Sequence, residues 1–139
     1  MALFLGDFPH TLDDKGRLIM PSKFRNELGS NFIVTRGLEG CLFVFTEQKW
    51  TEFTEQLNSK GFSKKDVRSI TRFFCSCAMN SDLDKQGRFV VNKNLREFAG
   101  IERDVMIIGV SDRIEIWSKE KWDKYSEAEY VYEVVTCYK

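Results

Sequence analysis

Residues 12–25 have the sequence "LDDKGRLIMPSKFR", and residues 83–96 repeat the same pattern as "LDKQGRFVVNKNLR". Shifting the chain on itself by 71 residues superposes the leucine, the aspartate, the glycine and both arginines of the two stretches. After a one-residue gap, "CLFVFTEQKWTEF" in the first copy resembles "RIEIWSKEKWDKY" in the second. A solenoid needs at least three repeats. Two copies therefore predict one domain built from two pseudosymmetric halves.

The composition is that of a folded protein. Among the 139 residues, 14% are aromatic and 30% are charged, a balance typical of globular domains rather than disordered chains. No apolar run approaches the roughly 18 residues that a membrane-spanning helix needs, and the N-terminal stretch lacks a signal-peptide pattern. We therefore expect a cytoplasmic protein without a membrane partner.

The cysteines do not have the spacing of a metal site. Cys41, Cys75, Cys77 and Cys137 share the sequence with one histidine, His10. The Cys-x-Cys pair lies in a stretch that we expect to be helical, so its thiols would point to different sides, unlike the C-x2-C spacing of zinc sites. We expect free cytosolic thiols, no metal and no cofactor.

Each copy predicts the same series of local structures. The glycine of the Asp-x-x-Gly-Arg motif suits a tight hairpin turn, which an apolar strand follows. A short helix then ends at Gly29 in the first copy and at Gly100 in the second. Two further strands follow, and Thr46 or Ser118 then caps a helix with an aromatic face.

A basic helix is predicted between the copies, in "SKKDVRSITRFFCSCA". Ser63 and Asp66 form a capping box at its start. Its apolar residues recur at helical spacing, at Val67, Ile70, Phe74 and Cys77. Its basic residues would face water: Lys64, Lys65, Arg68 and Arg72. We predict a first module at residues 1–58, this connecting helix at 59–82 and a second module at 83–139, in a mainly β fold with peripheral helices.

Charge is segregated along the chain although the net charge is zero. Residues 13–25, 60–73 and 84–96 are basic, whereas residues 26–59 and 97–139 carry net charges of −3 and −4. A neutral protein is a poor non-specific binder of polyanions. The basic segments indicate local anion-binding surfaces, or else ordinary solvated faces.

The spacing within the motif suggests a role for its charges. Asp13 and Arg17, like Asp84 and Arg88, lie four residues apart across a turn, so the carboxylate can brace the guanidinium. A braced arginine is suited to bidentate contact with guanine or phosphate. The alternative is a surface ion pair worth about 0–1 kcal/mol. Two copies at matching positions favour recognition.

The stretches "DDKGRLIMPSKFR", "LDKQGRFVVNKNLREFAG" and "RIEIWSKEKWDKY" together resemble the MraZ family, whose members contain two tandem AbrB-like modules with an Asp-x-x-x-Arg motif. The resemblance implies an AbrB-like double-split β-barrel with peripheral helices and assembly into homo-oligomeric rings. It also implies transcriptional control through repeated DNA boxes upstream of the division and cell-wall gene cluster. The family's DNA-contacting turns map onto Asp13, Lys15, Gly16 and Arg17, and onto Asp84, Gly87 and Arg88.

Two departures from the family pattern concern the second copy. This chain has Val91 and Asn92 where the family usually has Ile-Pro, so the second short helix lacks its proline start. Gln86 replaces the basic residue that the first copy has at Lys15, although Lys85 partly compensates. We therefore expect the first copy to dominate contact with DNA.

The sequence thus predicts a DNA-binding site made by both copies. Arg17 would contact guanine, Lys15 and Arg25 would contact phosphates, and the second copy would support or extend that surface. The predicted DNA-binding residues are Lys15, Arg17, Arg25, Lys85, Arg88 and Arg96. The residues that brace the motifs are Asp13, Gly16, Asp84 and Gly87. The expected partners are double-stranded promoter DNA in the nucleoid and further copies of the chain, with no small-molecule substrate.

Two other functions stay open. The aspartates in and beside the turns could pair as general acid and base, namely Asp13, Asp14, Asp82 and Asp84. No histidine, serine elbow, phosphate loop or metal set accompanies them. The chain could also be an antitoxin-like or ring-forming scaffold protein without base readout, because fold alone does not fix function. An enzyme would place a perturbed carboxylate in a deep pocket, whereas a DNA-binding protein would expose its arginines.

Overall fold

A computed structural model describes residues 3–59 and 63–138. Its strands are β1 (Phe4–Thr11), β2 (Arg17–Ile19), β3 (Asn31–Arg36), β4 (Leu42–Thr46), β5 (Met79–Asp82), β6 (Arg88–Val90), β7 (Asp104–Ser111) and β8 (Arg113–Ser118). Its helices are α1 (Ser22–Leu28), α2 (Glu47–Ser59), α3 (Lys64–Cys75), α4 (Lys93–Ala99), α5 (Lys119–Ser126) and α6 (Glu129–Cys137).

The sheet order has two-fold pseudosymmetry. Six strands form one antiparallel sheet in the order β1-β7-β8-β4-β3-β5, and β2 pairs with β6 in a second, two-stranded sheet. Exchanging each strand for its counterpart in the other copy reverses the first order and leaves the second pair unchanged. The pseudo-two-fold axis therefore passes between β4 and β8 and between β2 and β6. This arrangement confirms the mainly β fold with peripheral helices and two pseudosymmetric halves.

The two halves are interleaved through their strands. β1 of the first half pairs along its whole length with β7 of the second, and β5 pairs with β3 of the first half. β5 lies inside the segment 59–82 that was predicted to connect the modules, where it is the counterpart of β1. The module boundaries at residues 58 and 83 stay a prediction.

Both faces of the six-stranded sheet are covered, which explains why β3, β4 and β8 are almost continuously buried. Alternate side chains face a core shared with β2, β6, α1 and α4, where Phe24 and Phe89 are buried. The other side chains pack beneath α2, α3 and α5, in a cluster that contains Phe43, Phe74 and Trp117. The two-stranded sheet and the helices with the aromatic stripes therefore lie on opposite faces of the large sheet.

The predicted helix caps are confirmed. The side-chain oxygens of Thr46, Ser63 and Ser118 each accept a hydrogen bond of 3.1 Å from the backbone N–H three residues later. Gly29 and Gly100 end the two short helices. Residues close to each of these helix ends therefore determine where the helix begins or ends.

The prediction that α3 continues through Cys77 is wrong. The helix ends at Cys75, because contacts from β3 bind the carbonyl oxygens of its last turn. Arg36 donates from Nε and Nη2 to the Phe73 oxygen, at 3.0 and 2.7 Å, and Thr35 donates to the Phe74 oxygen. Cys77 therefore lies beyond the helix, while the basic residues of α3 are exposed as predicted.

The motif turns do not join paired strands, which corrects the predicted hairpins. The strand before each turn belongs to the large sheet, and the strand after it belongs to the two-stranded sheet. Each turn is closed locally, and the two strands that it connects pair with strands of the other half. A turn motif fixes a local conformation but does not specify pairing partners distant in sequence.

The helix α6 has an exposed apolar stripe. Val131, Val134 and Val135 lie on one face of the helix, and the last two are 52% and 64% exposed. Tyr138, directly after the helix, is 84% exposed. Within the part of the chain that the structure describes, no helix is both long and apolar enough to cross a membrane.

Candidate nucleic-acid interface

The first Asp-x-x-x-Arg turn is a network in which the aspartate holds the arginine. Oδ1 of Asp13 accepts hydrogen bonds from the backbone N–H groups of Lys15 and Arg17, each 2.9 Å long. Oδ2 of Asp13 accepts a hydrogen bond of 2.8 Å from Nε of Arg17. The backbone N–H of Gly16 closes the turn by donating to the Asp13 carbonyl oxygen at 3.0 Å. These contacts fix both the turn and the orientation of the guanidinium.

The second turn has the same geometry. Oδ1 of Asp84 accepts from the N–H groups of Gln86 and Arg88 at 2.9 Å, and Oδ2 accepts from Nε of Arg88 at 2.8 Å. One contact is additional: Nη2 of Arg88 donates to Oε1 of Gln86 at 2.8 Å. The side chains of Arg17 and Arg88 remain 24% and 27% exposed, so both can contact a ligand.

Both motif aspartates have a pKa below the ordinary value. The largest cause is the hydrogen bond from the backbone N–H of Arg17 to Asp13, and from that of Arg88 to Asp84. Desolvation, the second-largest cause, raises each pKa, but the arginine side chain and a further backbone N–H lower it again. Because the pKa is lower in the folded state, each carboxylate adds to the free energy of unfolding when the pH is above its unfolded-state pKa. This contribution is lost as the pH falls through the folded-state pKa. Both carboxylates are therefore ionised at neutral pH.

The two-stranded sheet presents both motif arginines on one face. Its register pairs Arg17 with Val90 and Ile19 with Arg88, while the central pair is buried in the core. Side chains alternate along a strand, so these four lie on the same, outer face. Arg17 and Arg88 occupy diagonal positions on the two paired strands, where backbone positions are about 7–8 Å apart. The structure therefore brings together two arginines that are far apart in sequence.

Two apolar residues of this outer face were missed by the sequence analysis. Ile19 is 43% exposed and Val90 is 50% exposed, between the two arginines. Arg17 and Arg88 also line one hollow of about 290 Å³ together with residues of β5. Each of these residues is the centre of an unbroken apolar run, so no alternation in the sequence marks it as facing outwards. Their orientation is evident only in the structure, where the residue on either side is buried.

The remaining predicted residues surround this face. Lys15 and Lys85 are exposed at the tips of the turns. Gly16 and Gly87 are buried and have φ angles of 75° and 79°, in the left-handed region that favours glycine.

Arg25 and Arg96 differ from the lysines because they are half-buried. Nε of Arg25 donates to the Met20 carbonyl oxygen at 2.9 Å, and Nε of Arg96 donates to the Val91 carbonyl oxygen at 3.0 Å. Each guanidinium lies against the glycine turn of the other half. All the predicted DNA-binding residues thus lie in or beside the two turns.

Comparison with known proteins identifies the family. Residues 3–73 and residues 74–131 each match the family described as "MraZ protein, putative antitoxin-like", which confirms the two tandem copies. The transcriptional regulator MraZ of Syntrophomonas wolfei is 52% identical over 125 residues, covering 90% of this chain and 87% of that protein. The proteins of the same name from Natranaerobius thermophilus and Desulforamulus reducens are 50% and 48% identical, covering 90% and 89% of this chain and 87% of each relative. The turn geometry, the duplication and these relatives show that the chain belongs to the MraZ family.

Proposed function

We propose that this chain is a sequence-specific DNA-binding transcriptional regulator. The main supporting observation is the pair of aspartate-braced arginines on the outer face of the two-stranded sheet. The relatives named above, 48–52% identical to this chain, are called transcriptional regulators. That name agrees with a surface built for recognition rather than for a reaction.

The two-stranded sheet suits the major groove of B-DNA, which admits an α-helix or a two-stranded ribbon. Asp13 engages Nε of Arg17, so the outer edge of the guanidinium is left to face a ligand. A guanine presents two acceptors, O6 and N7, to such a bidentate donor. Ile19 and Val90, between the arginines, can contact thymine methyl groups. Base recognition would thus come from four side chains on one face.

The lysines would position the protein on the DNA backbone. Lys15 and Lys85 are exposed beside the arginines, where ammonium groups can neutralise phosphates. The first turn would make most of the contacts with DNA, for two reasons. It has Lys15 where the second turn has Gln86, and Nη2 of Arg88 already donates a hydrogen bond to Gln86. The second turn therefore has fewer donors left for DNA.

The state of the aspartates argues against catalysis. A general acid needs a raised pKa, whereas the pKa of Asp13 and Asp84 is lowered. Each carboxylate is also engaged by the arginine of its own turn. These groups therefore suit a structural brace better than proton transfer.

We further propose that copies of the chain assemble into a ring on repeated boxes upstream of the division and cell-wall gene cluster, in the cytoplasm at the nucleoid. One protomer offers few base-contacting side chains. A ring presents them repeatedly, and linked sites can raise avidity by about 10²–10⁴-fold. The exposed apolar stripe of α6 supports self-association, because helices often bind partners through such faces.

Native mass spectrometry at micromolar concentration should give a multiple of the 16.3 kDa chain. Val135→Glu places a charge on the α6 stripe and should shift the distribution towards smaller species. Glu133→Gln, on the opposite side of the same helix, is the control and should leave the assembly unchanged. A monomeric wild-type mass would contradict the ring.

The alternative is an antitoxin-like or scaffold protein that does not recognise bases. The description of the matched family as antitoxin-like favours keeping this candidate. It predicts that any DNA binding by the basic turns is independent of sequence.

Fluorescence anisotropy across a salt series distinguishes the two functions. The protein is titrated against a duplex from upstream of its own gene and against a shuffled duplex of equal composition. A regulator should prefer the upstream duplex by about 10³-fold or more. Equal and weak binding to both duplexes, lost at moderate salt, would favour the scaffold and contradict base recognition.

A further inference from the structure

We infer that Arg25 and Arg96 are positioning residues, each of which holds the DNA-contacting turn of the other half. The sequence analysis assigned both to the DNA-binding set, with Arg25 contacting phosphate. The structure instead places Arg25 against the turn that contains Arg88, and Arg96 against the turn that contains Arg17. This inference rests on the proposed function and specifies how its two turns are coupled.

Arg25 connects its own half to the second turn. Its Nε donates to the carbonyl oxygen of Met20, while the backbone N–H of Met20 donates to the carbonyl oxygen of Gly87 at 2.8 Å. The guanidinium also covers Gly87 so closely that an added Cβ would lie 2.6 Å from its Nε and Nη2. A Cβ at position 87 would therefore displace this guanidinium, in addition to the strain of the positive φ angle.

Arg96 makes the symmetry-related set of contacts. Its Nε donates to the carbonyl oxygen of Val91, and the backbone N–H of Val91 donates to the carbonyl oxygen of Gly16 at 2.9 Å. A Cβ at Gly16 would lie 3.5 Å from Cζ of Arg96, an ordinary van der Waals distance. The contact is therefore looser here than at Gly87.

These crossed contacts act on the residue next to the recognition arginine. Gly87 immediately precedes Arg88, and its N–H closes the turn onto Asp84 at 2.9 Å. Gly16 occupies the same position before Arg17. A shift of either glycine moves the braced guanidinium that follows it, so the helix arginine of one half controls the orientation of the motif arginine of the other.

Positioning and phosphate contact predict different binding defects. Loss of a phosphate contact weakens binding to all sequences alike and lowers the salt slope by about 1. Loss of positioning leaves the salt slope unchanged and relaxes base preference, but only where the opposite half contacts DNA. Arg25 variants should therefore resemble Arg88→Ala and not Arg17→Ala.

The test compares Arg25→Met with Arg25→Lys by anisotropy on upstream duplexes that carry single base-pair changes. Arg17→Ala and Arg88→Ala first define which base pairs depend on each turn. Both Arg25 variants should lose about 5–20-fold of discrimination at the Arg88-dependent base pairs and keep it at the others. If lysine restored wild-type binding, its charge alone would suffice, and the inference would be overturned. A uniform loss with a lower salt slope would also overturn it.

Amide hydrogen exchange without DNA provides a second readout. In Arg25→Met, the N–H groups of Met20 and Gly87 should exchange at least tenfold faster than in the wild type, whereas that of Val91 should be unchanged. In Arg96→Met, the N–H of Val91 should exchange faster, whereas those of Met20 and Gly87 should be unchanged. Because Arg96 packs more loosely on its turn, this substitution should have the smaller effect. Unchanged exchange at these amides would reject the crossed contacts. If the wild-type protein showed no base preference, the proposed function would be wrong. Amide hydrogen exchange would still test the crossed contacts, because it is measured without DNA.

Discussion

Arg17→Ala should lower affinity for the specific duplex by about 1–3 kcal/mol and relax its sequence preference. The reason is the geometry of the first turn, where Asp13 fixes the guanidinium through Nε at 2.8 Å and leaves its outer edge for a guanine. Alanine removes both donors while the turn itself stays closed by Gly16. Anisotropy titrations with single base-pair variants of the duplex measure the loss and locate it on the DNA.

Lys15→Ala is the matched control for that experiment. Lys15 lies in the same turn but is exposed, so we expect it to contact phosphate and not bases. Its loss should weaken binding to every duplex alike and reduce the salt slope by about 1. If Arg17→Ala left the sequence preference intact, or behaved like Lys15→Ala, base recognition by Arg17 would be wrong.

The turn itself could be predicted because all of its interactions are local. Asp13 and Arg17 are four residues apart, and each hydrogen bond of the brace joins residues within that span. The same holds for the helix caps. Asn92, which replaces the proline of the family pattern, also caps its helix locally by accepting a hydrogen bond of 3.0 Å from the N–H of Leu95. The second short helix therefore has a different but adequate start.

The interface could not be predicted because it depends on pairing between the halves. Arg17 and Arg88 share a face only because β2 pairs with β6, and nothing near either strand specifies that partner. The crossed positions of Arg25 and Arg96 have the same origin. The end of α3 was missed for a related reason, since its last carbonyl oxygens are bound by side chains of β3. Local sequence therefore predicts the parts of the site but not their arrangement.

Gly87→Ala should destabilise the protein by about 2–4 kcal/mol, more than the same change at Gly16. Both glycines have φ angles near 75–79°, and an alanine in the left-handed region costs about 1–2 kcal/mol. At Gly87 the new methyl group also displaces the guanidinium of Arg25 and breaks its hydrogen bond to Met20. Urea denaturation of the wild type and both variants measures the difference.

Asparagine at the two positions separates backbone strain from lack of space. Asparagine tolerates the left-handed conformation, so Gly16→Asn should recover most of the stability lost in Gly16→Ala. Gly87→Asn should recover little, because its Cβ still meets Arg25. Adding Arg25→Ala to Gly87→Ala removes the clash, so the double variant should be less destabilised than the sum of the single variants. Arg25 would not pack on Gly87 in solution if the losses in free energy of unfolding from Gly87→Ala and Arg25→Ala were additive. Equal losses for alanine at Gly16 and at Gly87 would lead to the same conclusion.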